Sequence, residues 1–167
     1  MERPIKKDPG THYTKLDTPS LILDLDAANT NLTLISAKLN SLKLKVRWNV
    51  NSHLTKDILS LQMKAVPNTK GISVTNISQA SIFSSLSDDI IVNNVVLSES
   101  KLSSITDLNA SPVYSSILQL NKIKSIYSDG LYIKIRIDSD FQFESDIINY
   151  LLNENYSIKG IIFEFYK

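Results

Sequence analysis

The sequence predicts an α/β protein built on a parallel sheet, because strand-like and helix-like segments alternate along most of the chain. Strand starts recur at intervals of roughly 18 to 28 residues, which is the spacing of βα units. Apolar residues between the strands recur with helical period, so each helix can bury one face against the sheet. This pattern leaves open whether the sheet closes as a barrel.

Seven segments have the composition of strands. They are residues 21–25, 44–50, 72–76, 90–96, 113–115, 131–138 and 158–165. Four helical stripes lie between them, formed by Leu32, Ile35 and Leu39; Ile58, Leu61 and Ala65; Ile77, Ala80 and Phe83; and Leu102 and Ile105. Residues 1–18 are interpreted as a lead-in loop and residues 19–167 as one domain.

Composition argues against several classes of partner. The net charge is +1, from 18 basic and 17 acidic residues, whereas proteins that bind nucleic acids or anionic membranes usually carry a basic excess. There is no cysteine, and the two histidines leave little for a zinc site, so we expect no metal. No apolar run approaches the length of a membrane span. The expectation is a cytoplasmic protein without nucleic-acid or membrane partners.

Glycine is scarce, with only four in the chain, and they are not clustered. Loops that hold phosphate through backbone N–H groups usually need closely spaced glycines. The sequence therefore contains no recognisable phosphate loop.

Several motifs resemble one enzyme family. DTPSLILDLDAANTNL is similar to the opening of D-threonine aldolases and D-serine dehydratases, and VRWNVNSHL is similar to their next strand. GISVTNISQASIF, DDIIVNNVVLSESKL, LYIKIRIDSD and SIKGIIFEF resemble later strands and helices. The resemblance covers residues 17–165 and is strongest in the first half. These enzymes belong to the alanine racemase-like, fold-type III group that uses pyridoxal phosphate (PLP).

The resemblance implies a parallel (β/α) barrel of TIM type. A complete barrel of this type has eight strands and typically about 250 residues. We therefore expect an incomplete barrel of six to seven strands without a C-terminal β domain.

The same register places Asn51 where the family has its Schiff-base lysine. That lysine forms an imine with PLP and commonly acts as a base, and both tasks need a primary amine, which a carboxamide is not. Asn49 stands at a family histidine and Leu54 at a lysine, whereas Arg47 and His53 are kept. We therefore expect no bound cofactor.

A second departure lies downstream. Asp138 keeps the family aspartate, but Phe143 replaces an arginine that the family places near the PLP ring. Asp140 and Ser145 replace glycines of the same motif. The resemblance thus implies a vestigial pocket of Arg47, Asn49, Asn51 and Asp138, with His53 as the one candidate acid or base.

Each of these residues also has a simpler interpretation. Asn49 and Asn51 can be relics in a polar mouth, and His53 can be a surface histidine without a task. Lys56 and Lys64 are candidates for a replacement Schiff-base lysine, but both lie on a predicted helix surface, where they are expected to be solvated. Asp24 and Asp26 fit a strand end followed by a helix N-cap better than a metal site.

Three functions remain open. The first is a degenerate, non-catalytic relative of a PLP-dependent D-amino-acid lyase or dehydratase. The second is half of a split PLP-dependent lyase or racemase that another chain completes. The third is a binding or scaffolding module. An unclosed sheet also exposes edge strands, so we expect a homo-oligomer or a completing partner chain at that edge.

Overall fold

The fold is an alternation of parallel strands and helices. The structure, a computed structural model, describes residues 7–8, 10–127, 130–137, 146–154 and 156–165. Within these ranges six parallel strands pair in sequential order, from β1 to β6, and curl into a half-barrel. The predicted fold class, an incomplete (β/α) barrel, is confirmed.

The elements have the following bounds. The strands are β1 (Val46–Asn49), β2 (Thr69–Val74), β3 (Ile90–Val92), β4 (Ala110–Tyr114), β5 (Leu131–Ile137) and β6 (Ile158–Phe165). The helices are α1 (Leu25–Leu42), α2 (Lys56–Ala65), α3 (Ile77–Phe83), α4 (Glu99–Asp107), α5 (Ile117–Ile123) and α6 (Asp146–Asn153). No described helix is long and apolar enough to cross a bilayer.

Most of the core lies between the sheet and the helices. Alternate strand residues face this layer, among them Ile72, Val92 and Ile133, and each is fully buried there. The concave face of the sheet holds a smaller cluster of Ile91, Val113 and Tyr132, with Ile162 packed against it. The sheet is therefore apolar on both faces at mid-height, as expected of a parallel sheet.

The predicted strand at residues 21–25 is wrong. Residues 20–24 have no regular secondary structure, and α1 begins at Leu25. The side chain of Asp24 accepts a hydrogen bond of 3.0 Å from the Ala27 N–H, so the N-cap interpretation of Asp24 is confirmed. A strand needs a neighbour to satisfy its backbone, and no described strand pairs with this segment.

The helical stripes are confirmed in the middle of the chain. Ala80 and Phe83 of α3 are buried, as are Leu102 and Ile105 of α4. In α2, by contrast, the fully buried residue is Leu59, so this helix is rotated relative to the expected stripe.

Candidate functional site

A compact group of residues lies on the concave face of the sheet, toward the amino-terminal ends of the strands. We call this group the floor: Arg47, Gly71, Asp89, Tyr132 and Gly160. The Arg47 guanidinium pairs with the Asp89 carboxylate at 2.8 Å and also donates to the Asp89 carbonyl at 3.0 Å. Its central carbon lies 6.0 Å from the centre of the Tyr132 ring. Arg47 thus connects β1 to the start of β3 and to β5.

Two glycines make room for these side chains. A Cβ on Gly71 would lie 2.3 Å from the Asp89 carbonyl oxygen and 2.7 Å from Arg47 Nη1. A Cβ on Gly160 would lie 2.9 Å from Cε1 of Tyr132. Both positions therefore require glycine, because neighbouring atoms of the floor lie too close to leave room for a Cβ.

The carboxyl ends of the strands form the opposite side, which we call the mouth: Asn49, Asn51, Thr75, Asn93, Ser115, Lys134, Arg136 and Glu164. In β/α barrels, ligand-contacting side chains come from this side. Asn51 lies in a short 3₁₀ turn directly after β1. Its amide nitrogen donates to the Thr75 hydroxyl, and its backbone N–H donates to the Asn49 side chain at 3.1 Å. The sequence-predicted pair Asn49 and Asn51 therefore does lie together in the mouth.

His53 follows the same turn, but its ring is engaged in the loop that leads to α2. Its Nδ1 accepts from the Thr55 N–H at 3.1 Å, and its Nε2 lies 3.2 Å from the Gln62 side-chain oxygen. Because a backbone N–H only donates, the neutral ring carries its proton on Nε2. This arrangement positions the loop before α2 and occupies both nitrogens that an acid or base would use.

The far wall of the mouth is charged. Lys134 and Arg136 alternate on β5, and both lie near Glu164 of β6, at 3.5 and 3.6 Å. The Lys134 side chain is only 16% exposed, whereas that of Arg136 is 67% exposed. The mouth therefore presents amides and hydroxyls along β1–β4 and ionic groups along β5 and β6.

Two adjoining cavities, of about 140 and 230 Å³, lie on the charged side of the mouth. Both are lined by Ser115, Lys134 and Arg136, and the smaller one also by Asn93. The Asn93 side-chain oxygen is buried and has no hydrogen-bond partner among the residues that the structure describes. These volumes hold a small molecule or several waters.

The residues of the predicted pocket do not share one location. Asn49 and Asn51 lie in the mouth, whereas the Arg47 guanidinium is directed into the floor, with Asp89 as its partner. Asp138, Asp140, Phe143 and Ser145 lie outside the described residues. Lys56 and Lys64 are exposed on α2, as expected. No three His, Cys, Asp or Glu side chains group as a metal site within the described ranges.

Sequence reasoning missed Lys134, Asn93 and Ser115 as parts of the mouth, whereas the family resemblance had placed Glu164 at the position of a family tyrosine. A signal for Lys134 was present, because LYIKIRI places Lys134 and Arg136 two residues apart, on one face of a strand. The contribution of Glu164 depends on the β5–β6 register, which pairs it with Arg136 and cannot be read from local sequence.

Solved structures share this architecture. D-threo-3-hydroxyaspartate dehydratase from Delftia sp. HT23 matches with a TM-score of 0.72 at 18% identity, over 89% of this chain and 44% of that chain. The chain has the same barrel fold. D-threonine aldolase from Filomicrobium marinum gives a TM-score of 0.62 at 23% identity, over 73% of this chain and 35% of that chain. Alanine racemase from E. faecalis gives a TM-score of 0.64 at 13% identity, over 87% of this chain and 43% of that chain.

These comparisons confirm the predicted alanine racemase-like barrel at the level of the fold. The chain spans less than half the length of each of the three similar structures. No protein-family model and no curated protein matches the sequence.

Proposed function

We propose that this chain is a non-catalytic relative of the PLP-dependent D-amino-acid lyases and dehydratases. The observation that carries the proposal is Asn51, a carboxamide at the end of β1, where the sequence register places the lysine of that family. An amide nitrogen is delocalised into its carbonyl, so it neither condenses with an aldehyde nor takes a proton. The residues after β1 therefore do not fit PLP.

The hydrogen bonds around Asn51 support the same conclusion. Its carboxamide bonds to Thr75, and the ring of His53 is held by Thr55 and Gln62. Neither residue presents an unengaged acid or base to the mouth.

Lys134 is the rival amine, because it lies in the mouth and is mostly buried. It belongs to β5, on the opposite wall from β1, and its ammonium lies beside Glu164. Reaction of this amine with an aldehyde would have to break its ion pair with Glu164. The proposal therefore also predicts that Lys134 forms no imine with PLP.

Incubation with PLP followed by borohydride reduction and peptide mapping tests both statements. We expect only scattered, sub-stoichiometric label on exposed lysines such as Lys101. Stoichiometric label on Lys134 that disappears in Lys134→Met, but persists in the control Lys101→Met, would overturn the proposal. Asn51→Lys is expected to gain little label, because the chain also lacks a phosphate loop.

A second candidate, half of a split enzyme, is favoured by one observation: the helix-facing side of β6 is exposed. Ile161, Phe163 and Phe165 are 49%, 54% and 67% exposed. A chain that supplied further βα units would cover them, and it would also have to supply the amine. The DNA directly downstream tests this candidate, which requires a reading frame for the remaining strands.

A further inference from the structure

The edge of β6 has no strand beside it among the described residues. Its helix-facing residues are also uncovered, in contrast to those of the neighbouring strand. Ile133 and Ile135 of β5 are 0% and 2% exposed, whereas Phe163, the β6 partner of Ile135, is 54% exposed. A long apolar edge strand of this kind is a site for pairing with another chain.

A second feature is the apolar segment of residues 20–24, with the sequence Ser-Leu-Ile-Leu-Asp. Its composition predicts a strand, yet it has no regular secondary structure. Leu21, Ile22 and Leu23 are 106%, 62% and 47% exposed. Within the part of the chain that the structure describes, a strand-forming sequence therefore lies outside the sheet, and the outer edge of β6 has no strand beside it.

We propose that residues 20–24 of one copy add as a strand to the β6 edge of a second copy. The inference does not depend on catalytic inactivity. It requires only that residues 20–24 and the β6 edge pair between two molecules, because within one chain both remain exposed.

Side-chain pattern favours an antiparallel arrangement. With Ile22 opposite Ile162, Leu21 falls opposite Phe163 and Leu23 opposite Ile161, so apolar residues meet on both faces of the sheet. Asp24 then falls opposite Gly160, beside Lys159. In a parallel arrangement with the same central pair, Asp24 would face Glu164, and like charges directly opposite are destabilising.

The ends of the segment limit the pairing to about five residues. Pro19 has no N–H to donate, and the side chain of Asp24 already caps α1. A single contact of this length is weak, but a reciprocal exchange between two copies forms it twice around a two-fold axis. We therefore expect a closed dimer rather than a filament.

Analytical ultracentrifugation of the 167-residue chain and three variants tests the proposal. Leu21→Lys and Phe163→Lys each place a charge in the contact, and each should raise the dimer dissociation constant at least about tenfold, since burial of one large apolar side chain contributes about that much. The control is Leu118→Lys on α5, which replaces a residue of similar exposure, 67%, and should leave the constant unchanged.

Mixing the variants separates this contact from other dimers. Leu21→Lys keeps an intact β6 and Phe163→Lys keeps an intact segment, so the mixture should form a heterodimer through one contact. That heterodimer should be tighter than either variant alone. Pairing of β6 with β6 predicts instead that Leu21→Lys has no effect, which would overturn the proposal, as would a wild-type chain that stays monomeric.

A synthetic peptide of residues 17–25 gives an answer even where Phe163→Lys fails to fold. Added to the Leu21→Lys variant, it should bind and shift the amide NMR signals of β6. A peptide with Leu21 and Leu23 both changed to Lys should not. Absence of β6 shifts with the wild-type peptide would also overturn the proposal.

Discussion

The floor and the mouth lie at opposite ends of the same sheet, but they differ in how tightly their residues constrain one another. In the floor, Arg47 contacts Asp89 and Tyr132, and Gly71 and Gly160 allow the close approach. In the mouth, the Asn51 side chain is exposed and donates to the Thr75 hydroxyl, and the cavities are open.

The difference separates the residues that hold the strands together from the residues that line the cavities. The floor positions β1, β2, β3 and β5 through contacts that do not involve the mouth. A change at Asn51 is therefore expected to alter chemistry without altering the fold.

The largest expected effect is in the floor, at Gly71. Gly71→Ala should lower the free energy of unfolding by about 3 kcal/mol, because the new Cβ would overlap a backbone oxygen that cannot move alone. Gly160→Ala should cost less, about 1 kcal/mol, because the atom it meets belongs to the Tyr132 ring, which can shift. Urea denaturation measures both, and equal losses would contradict the backbone argument.

The next effect is expected at the ion pair. Arg47→Met should cost about 2 kcal/mol, since it removes the ion-pair partner of the Asp89 carboxylate and one hydrogen-bond donor from each of the Ile72 and Asp89 carbonyls. The matched control is Lys124→Met, which removes the surface pair with Glu154 and should change the free energy of unfolding very little. Urea denaturation measures both variants. A similar loss in both variants would show that the floor is no more constrained than the surface.

Alkaline pH should lower the stability of the protein through Tyr156, which lies just before β6, toward the floor. Tyr156 donates to the Leu120 carbonyl at 2.9 Å, and burial together with Tyr150 raises the pKa of Tyr156 from 10.0 to about 12. The folded state thus favours the neutral phenol. Its stabilisation is complete below pH 10 and decreases as the pH rises toward 12.

Circular dichroism melts between pH 9 and pH 12, in roughly half-unit steps, measure this loss. Tyr156→Phe should flatten the decrease, because phenylalanine has no proton to lose. Tyr13→Phe, at an exposed position, is the control and should leave the profile unchanged. A profile that stays steep in Tyr156→Phe would assign the loss to other groups.

The smallest effect is expected in the mouth. Asn51→Ala should change the free energy of unfolding by no more than about 0.5 kcal/mol, because the side chain is exposed and its one partner, Thr75, can bond to water instead. Urea denaturation of Asn51→Ala and Arg47→Met under the same conditions compares their free energies of unfolding directly. A loss as large as that of Arg47→Met would show that the mouth also holds the fold together.

The candidate site was predictable only in part. The motif VRWNVNSHL places Asn49, Asn51 and His53 at or just beyond the end of a strand, and β1 does end at Asn49. The same motif groups Arg47 with them. Its role in the floor depends on Asp89, 42 residues away, which local sequence does not bring near.

The sequence by itself determined the βα alternation and the Asp24 cap, because these depend on periodicity and local hydrogen bonding. The incomplete barrel was predicted from the family resemblance, since the alternation alone leaves the closure of the sheet open. Tertiary structure alone decided that residues 21–25 form no strand, since a strand exists only beside another strand. It also decided that Lys134 and Glu164 meet in the mouth, because register between distant strands is set by the packing of the whole sheet.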